Sequence, residues 1–250
     1  MGNAKWTGVK LKDIIAMVEA KPDTKFISFN GMDSPPLPST PDFVKALDYN
    51  HALDGEVMIA YEMNGEPIPY LNGFPLKLVV LGWYATYWVG MLDEITLSAD
   101  TFKGFWMKGA YLAPIGVPNG NEKPDSLAKK LAPVNKIDVR SVFVAPEPDS
   151  ILTSGKEYEI QGLAFDAGIG ITKVEISSDS GKTWIQTNLD ASLGKYSWRR
   201  WRYKFTPSNP GCYKFFVKAT NSAGETQPWR QWNRSGYMKN GIESLTLNVE

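Results

Sequence analysis

From Val139 onward the chain follows one pattern. Val139–Val144, Tyr158–Phe165, Thr172–Ser177, Tyr203–Phe205, Tyr213–Ala219 and Leu245–Val249 alternate apolar and polar residues, the period-two signature of half-buried strands. Between them lie Ser180-Gly181-Lys182, Ser208-Asn209-Pro210-Gly211 and Asn221-Ser222-Ala223-Gly224, residue types that tolerate turn dihedrals or hydrogen-bond their own backbone. Short strands at this spacing over about 110 residues predict an immunoglobulin-like β-sandwich. An antibody-type domain is excluded, because it needs a cysteine pair and the chain has only Cys212. We expect Cys212 to be a small core residue of a sandwich strand.

The first half reads differently. Leu11, Ile14, Ile15 and Val18 fall at i, i+3, i+4 and i+7, one face of an amphipathic helix of about ten residues over 9–18. Pro22 ends it. Lys25–Asn30, Val57–Met63, Lys77–Val80 and Ile95–Leu97 read as strands, and Asn64–Pro67 as a turn. Ser34–Pro38 is a loop, because its prolines continue neither element. Asp42–Leu47 reads as a short helix, with Thr40 as its cap and Pro41 at its first position. Pro114–Pro133 carries four prolines and little periodicity, so it reads as a linker or a long surface loop. The expected class is α+β: a mixed α/β domain over 1–135, then the sandwich over 136–250.

Charge and composition narrow the function. Lys+Arg and Asp+Glu are 27 each, so the net charge is zero. No global field draws in nucleic acid or an anionic membrane. Arg199, Arg200 and Arg202 interleave with Trp198 and Trp201, an arrangement that can stack on bases. On a sandwich strand it reads better as a subunit interface or a solvated face. One histidine, His51, and one cysteine leave no material for a Cys-rich or three-His metal site. No run of 18 apolar residues exists, so no membrane-spanning helix is expected. No secretory signal is read at the start, and no Cys-x-x-Cys-His motif for a covalently held haem.

One stretch is chemically conspicuous. Leu71–Met91 combines an Asn-Gly-Phe-Pro corner, Lys77, and the aromatic run Trp83, Tyr84, Tyr87, Trp88. Asn72 ahead of Gly73 is by itself most often a turn residue, and Lys77 by itself a solvated strand end. Aromatics in such a run usually pack a core. Together, an amide and an ammonium across a fixed corner could also meet one flat, phosphorylated ligand.

Several segments, in order along nearly the whole chain, resemble the sulfite oxidases and bacterial sulfite dehydrogenases. They are Gly2-Asn3-Ala4-Lys5-Trp6-Thr7-Gly8 with Leu11 and Asp13; Phe29-Asn30-Gly31-Met32-Asp33; Ala60-Tyr61-Glu62-Met63-Asn64-Gly65-Glu66-Pro67-Ile68-Pro69; the Asn72–Lys77 run with Trp83-Tyr84; Phe105-Trp106-Met107-Lys108-Gly109-Ala110-Tyr111; Ser177–Trp184; and Gln227-Pro228 with Trp232-Asn233 and Gly236-Tyr237. Trp83-Tyr84 and Phe105–Lys108 lean towards the bacterial branch.

The resemblance implies a molybdopterin cofactor and oxidation of sulfite to sulfate, with the cofactor carrying the chemistry. It implies a sulfite-oxidase-like cofactor domain, a C-terminal domain for homodimerisation, a c-type cytochrome as electron acceptor and a periplasmic location. By position it assigns Asp33, Asn72, Lys77, Trp88, Val89 and Gly90 to the cofactor, and Tyr111 to the substrate side of the metal. Arg234 and Lys239 are two positions at which the family could supply an anion-binding cation. Departures stand beside these matches. Lys77 replaces an arginine fork with a point charge, and Gly90 stands where the family usually has lysine. No residue matches the family's metal-binding cysteine or its upstream Arg and His, and Cys212 is in the wrong context. The chain is therefore expected to be a catalytic subunit incomplete at its N-terminus, either with Met1 an internal methionine or as a fragment or the product of a split gene. Such a chain alone is expected to bind molybdopterin poorly and not to turn over sulfite. Two other readings stay open: an inactive dimerisation or binding module, and a family member acting on another sulfur substrate.

Overall fold

A computed structural model of the chain describes residues 2–117 and 121–250. Met1 and Pro118 of the readings above lie outside these residues. The chain divides into two compact units, Met1–Gly116 with Ser126–Lys136 and Ser235–Tyr237, and Val117–Asp125 with Ile137–Arg234 and Met238–Glu250.

The first unit is dominated by strands: β1 (Trp6–Lys10), β2 (Phe26–Gly31), β3 (Lys45–Asp48), β4 (Val57–Met63), β5 (Glu66–Pro67), β6 (Lys77–Val80), β7 (Leu92–Ser98), β8 (Leu112–Ile115) and β9 (Lys130–Pro133). Its α-helices, α1 (Leu11–Ile15), α2 (Tyr49–Ala52) and α3 (Phe105–Lys108), have five, four and four residues. The expected α content is thus thin. β4 pairs antiparallel with β1, with β6 and, at its end, with β5. β2 lies between β3 and β7.

Apolar patterning explains β6 directly. Leu78 and Val80 enter a core with Leu11, Ile27, Phe29, Leu47 and Val57, while Val79 faces a smaller cluster with Ala60 and Ile68. A strand covered on both faces reads as a continuous apolar run.

Three local expectations change here. The ten-residue helix becomes β1 followed by the five-residue α1. Leu11 and Ile15 are buried, whereas Met17 and Val18 are exposed. Pairing of Trp6–Lys10 with β4 outweighs the helical spacing, because short helices have little stability of their own. Likewise Asp42–Leu47 is no helix. Asp42 accepts from the Phe43 N–H and the Asn30 amide, and Lys45–Asp48 pairs with β2 instead. Within Pro114–Pro133, both ends pair as the hairpin β8–β9; residues 118–120 lie outside the described set.

The second unit comprises β10 (Arg140–Ala145), β11 (Ile151–Leu152), β12 (Tyr158–Phe165), β13 (Ile171–Ser177), β14 (Ile185–Gln186), β15 (Asn188–Leu189), β16 (Arg199–Phe205), β17 (Gly211–Asn221) and β18 (Glu243–Val249). They form two sheets, β10-β12-β16-β15 and β11-β18-β17-β13-β14. All pairs are antiparallel except β11 with β18. Ile160, Ala164 and Trp201 from one sheet share a core with Val174, Phe215, Val217 and Leu245 from the other, which makes the unit a β-sandwich.

Gln227 is buried. Its carbonyl accepts from the Ser141 and Ala219 N–H groups, and its amide donates to the Gly241 carbonyl. Two arginines of the run are spent internally: Arg199 donates to the Ile171 and Asp190 carbonyls, and Arg202 forks onto the Asp190 carboxylate. Cys212, expected in the core, is exposed on β17, because alternation turns Phe215, Val217 and Ala219 to the core and Cys212 to the other side.

Candidate active site

The corner at Asn72–Lys77 is held by glycines. Tyr70–Asn72 forms one 3-10 turn, closed by Gly73 at φ +105°. A Cβ on Gly73 would lie 2.7 Å from the Gly90 Cα, and one on Gly90 would lie 2.8 Å from the Gly73 Cα. Only two bare backbones can approach so closely. The contact is tied by the Met91 N–H donating to the Gly73 carbonyl at 2.9 Å, and the Leu92 N–H to the Leu76 carbonyl at 2.9 Å.

Gly31, at the end of β2, meets the same place. A Cβ there would lie 2.5 Å from the Gly90 oxygen and 2.7 Å from Asp33 Oδ1. Lys77 Nζ donates to the Asn72 carbonyl at 2.8 Å, and lies 3.8 Å from where a Gly90 Cβ would be. Burial lowers the Lys77 pKa from its ordinary value.

Asp33, Asn72, Lys77 and Gly90 are therefore neighbours, although 57 positions separate the first from the last. The Asp33 and Asn72 side chains are exposed. The lysine expected at Gly90 has no room here, and the Lys77 ammonium stands beside that position instead.

The Trp88 and Val89 side chains pack against the hydrophobic clusters of this unit. The Trp88 indole N–H, its one polar side-chain group, donates to the Val80 carbonyl at 2.9 Å, and its ring meets Trp6 edge-on at 5.8 Å. Val89 is 4% exposed. Trp83, expected to pack, stacks on His51 at 4.3 Å.

Tyr111 sits in an aromatic cluster that composition did not reveal. It follows α3 with a positive φ of 53°. Its ring stacks on Tyr237 at 5.4 Å and lies 5.9 Å from Trp106 and 6.2 Å from Phe43. Lys45, 1% exposed, lies against the Tyr111 and Phe43 rings. Its Nζ donates to the Trp106 carbonyl at 2.7 Å, and sits 4.6 Å from the Tyr87 ring centre and 5.1 Å from that of Tyr111. Burial pulls the Lys45 pKa down to about 8. Sequence reading missed this residue because Asp42–Leu47 looked helical. The available signal was one charge in the apolar stretch Val44–Leu47.

The two C-terminal cations belong to the sandwich unit. Arg234 is held by Glu122, a carboxylate whose side chain is fully buried. The Arg234 Nε and Nη2 donate to one oxygen at 3.1 and 2.9 Å, and its backbone N–H to the other at 2.9 Å. Glu122 was not singled out from the sequence, since nothing local marks it. Lys239 lines a cavity of about 440 Å³ with Arg140, Trp229, Arg230 and Trp232, in which Glu243 pairs with Arg140.

Residues 1–106 match the oxidoreductase molybdopterin binding domain, and residues 132–248 match the Mo-co oxidoreductase dimerisation domain. The chain belongs to the sulfite-oxidase-like molybdopterin family. Among similar proteins, mitochondrial sulfite oxidase of Mus musculus is 27% identical across all of this chain and 47% of its own length. Sulfite oxidase of Arabidopsis thaliana is 28% identical across all of this chain and 68% of its own length. An NAD(P)H nitrate reductase of Hordeum vulgare is 26% identical over 98% of this chain and 30% of its own length. The chain spans about half the length of the animal sulfite oxidases. The sulfane dehydrogenase SoxCD from Paracoccus pantotrophus shares the fold, with a TM-score of 0.81 and 23% identity over 99% of this chain and 62% of that one.

The family's cofactor can be set against the residues present. An ammonium with unused N–H groups suits its phosphate. An exposed amide and an exposed carboxylate suit the donors and acceptors of a pterin. The organic part therefore fits the Asp33–Asn72–Lys77 corner. The metal finds no such set. Among the described residues no group of three or more His, Cys, Asp and Glu could hold a metal ion, and Cys212 is on the sandwich.

Proposed function

We propose that this chain is the cofactor-binding and dimerisation portion of a molybdopterin-dependent sulfite dehydrogenase. The observation that carries the reading is the meeting of Asp33, Asn72 and Lys77 around the Gly73–Gly90 backbone contact, inside the segment that matches the cofactor domain. Lys77 binds the phosphate. Asn72 and Asp33 orient the pterin. Tyr111 offers a phenol to the oxyanion substrate. When bound, the molybdenum centre supplies the oxygen-transfer and two-electron chemistry that turns sulfite into sulfate. The metal's thiolate comes from a cysteine other than Cys212. The surrounding aromatics of Tyr111 exclude water and so strengthen its hydrogen bonds.

The same reading has the sandwich be immunoglobulin-like and join two copies of the chain, with electrons leaving to a c-type cytochrome in the periplasm. Arg234 is already committed to Glu122, which favours Lys239 as the cation free to meet an anion.

Molybdopterin binding, followed by pterin fluorescence, tests the site. Lys77→Met and Asn72→Ala should each weaken it about tenfold, the effect of one charge-assisted or amide hydrogen bond. Equal binding by both variants overturns the assignment. In molybdenum-loaded protein that also carries the family's metal-binding cysteine, reduction of a c-type cytochrome by sulfite, compared with a sulfane donor and with nitrate turnover, decides the substrate. No turnover of any of the three leaves the dimerisation module as the function.

A further inference from the structure

Lys45 is hard to explain as structure alone. It is 1% exposed, and an ammonium carries three N–H donors. One goes to the Trp106 carbonyl. No carboxylate lies within ion-pair distance of Lys45 among the described residues, although eight contacts of other lysines and arginines do find one. Around it stand the π-faces of Tyr87, Tyr111 and Phe43, at 4.6, 5.1 and 6.0 Å. Such faces soften the loss of water but do not replace it. A methionine would fill the same space without that cost.

We propose that Lys45 is a positioning residue for the oxyanion site: its ammonium seats the Tyr111 ring and supplies, from below, the positive charge that holds a tetrahedral oxyanion at the phenol. The proposal rests on the reading of Tyr111 as the substrate-side residue. In a water-poor surrounding a cation acts strongly over several ångströms, so it need not touch the anion. The flat ring between them keeps the anion from pairing with the amine directly, which permits release after turnover.

The charge is conditional on pH. Burial brings the Lys45 pKa to about 8. The groups facing it are Tyr87, Tyr111, Phe43 and the Trp106 carbonyl. Tyr87 has its pKa raised to about 12 by burial and by the charge of Asp48, Trp106 presents a carbonyl, and Phe43 is neutral. On α2, which also packs on β3, His51 pairs with Asp54.

The test is inorganic sulfate binding to the full chain by isothermal titration calorimetry, from pH 6.5 to 9.5. Sulfate keeps one charge state over that range, so the profile reports the protein. Wild-type affinity should fall about tenfold as pH rises through about 8, the loss of one nearby unit charge at an effective dielectric typical of proteins. Lys45→Arg should bind tightly throughout, because guanidinium stays charged. Lys45→Met should bind about tenfold more weakly at pH 7 and show no step. A wild-type profile without a step, absence of sulfate binding, or a Lys45→Met profile like wild type overturns the proposal. The wild-type profile needs no variant to fold. Pterin binding by Lys77→Met is a separate arm: if that arm fails while the sulfate step persists, the cofactor reading falls and the Lys45 site stands.

Discussion

Two buried charges sit in the two units, and they are solved oppositely. In the sandwich unit, Arg234 meets a fully buried Glu122 through three N–H donors. In the first unit, Lys45 has one carbonyl and three aromatic faces, and no counter-ion among the described residues. A pair of the first kind is self-contained and leaves little charge for anything else. A lone cation keeps its field for what lies beyond the rings. The difference teaches that residue type did not identify the functional charge here. Arg234 and Lys239 were the expected anion binders; Lys45, which was not singled out, is the one with no carboxylate partner among the described residues.

The comparison can be broken from either side. The largest effect should come from Arg234→Met, which strands the Glu122 carboxylate in the interior. A loss of about 3 kcal/mol is expected in urea unfolding, the lower end for breaking a buried pair because Arg234 is partly exposed. A loss under about 1 kcal/mol would show that the two charges are not so different.

Lys45→Met should move stability the other way. A lysine whose folded pKa lies near 8 rather than 10.5 binds fewer protons folded than unfolded between those values. Stability therefore rises with pH across that window, and the cost of the charge is greatest below pH 8. Replacement should stabilise the protein at pH 7 by roughly 3 kcal/mol, with the gain shrinking to nothing by about pH 10.5. Thermal melts of both proteins at pH 7, 9 and 10.5 check the sign and the window. Destabilisation at pH 7 would mean that the ammonium is a structural asset after all.

Gly73→Ala sharpens the picture of the cofactor corner. A methyl at φ +105° and 2.7 Å from the Gly90 Cα should cost about 2 kcal/mol in strain and displacement, and should weaken pterin binding as well. Unchanged binding would detach the corner from the cofactor. The smallest effect is expected for Trp88→Phe. Losing the indole donor to Val80 should cost about 1 kcal/mol in urea unfolding and leave pterin affinity unchanged. A drop in pterin affinity would restore Trp88 to the site.

Much of the fold was legible along the chain. The strand read over Tyr158–Phe165 has the observed bounds of β12, and Val57–Met63 those of β4. Alternation is a direct imprint of burying one face, so it survives without tertiary information. Asn72 and Lys77 were legible as a pair, since five residues and one corner join them. Asp42–Leu47 was misread because its helix-start residues are a local signal, while β3 depends on β2, sixteen positions away at Phe29 and Lys45. The hairpin β8–β9 was misread for the same reason: proline content is local, and partnership is not.

What the amino-acid order determined by itself is therefore the periodic part: strands, turns, the apolar run of β6, and the matched segments that mark the family. The tertiary structure alone decided which charges are met and which are left alone. It brought Gly31, Gly73 and Gly90 within contact, gave Arg234 a carboxylate 112 positions away, and enclosed Lys45 between three rings from three segments. Burial and pairing of charges depend on what the folded chain sets beside them, and no window of neighbouring residues contains that information.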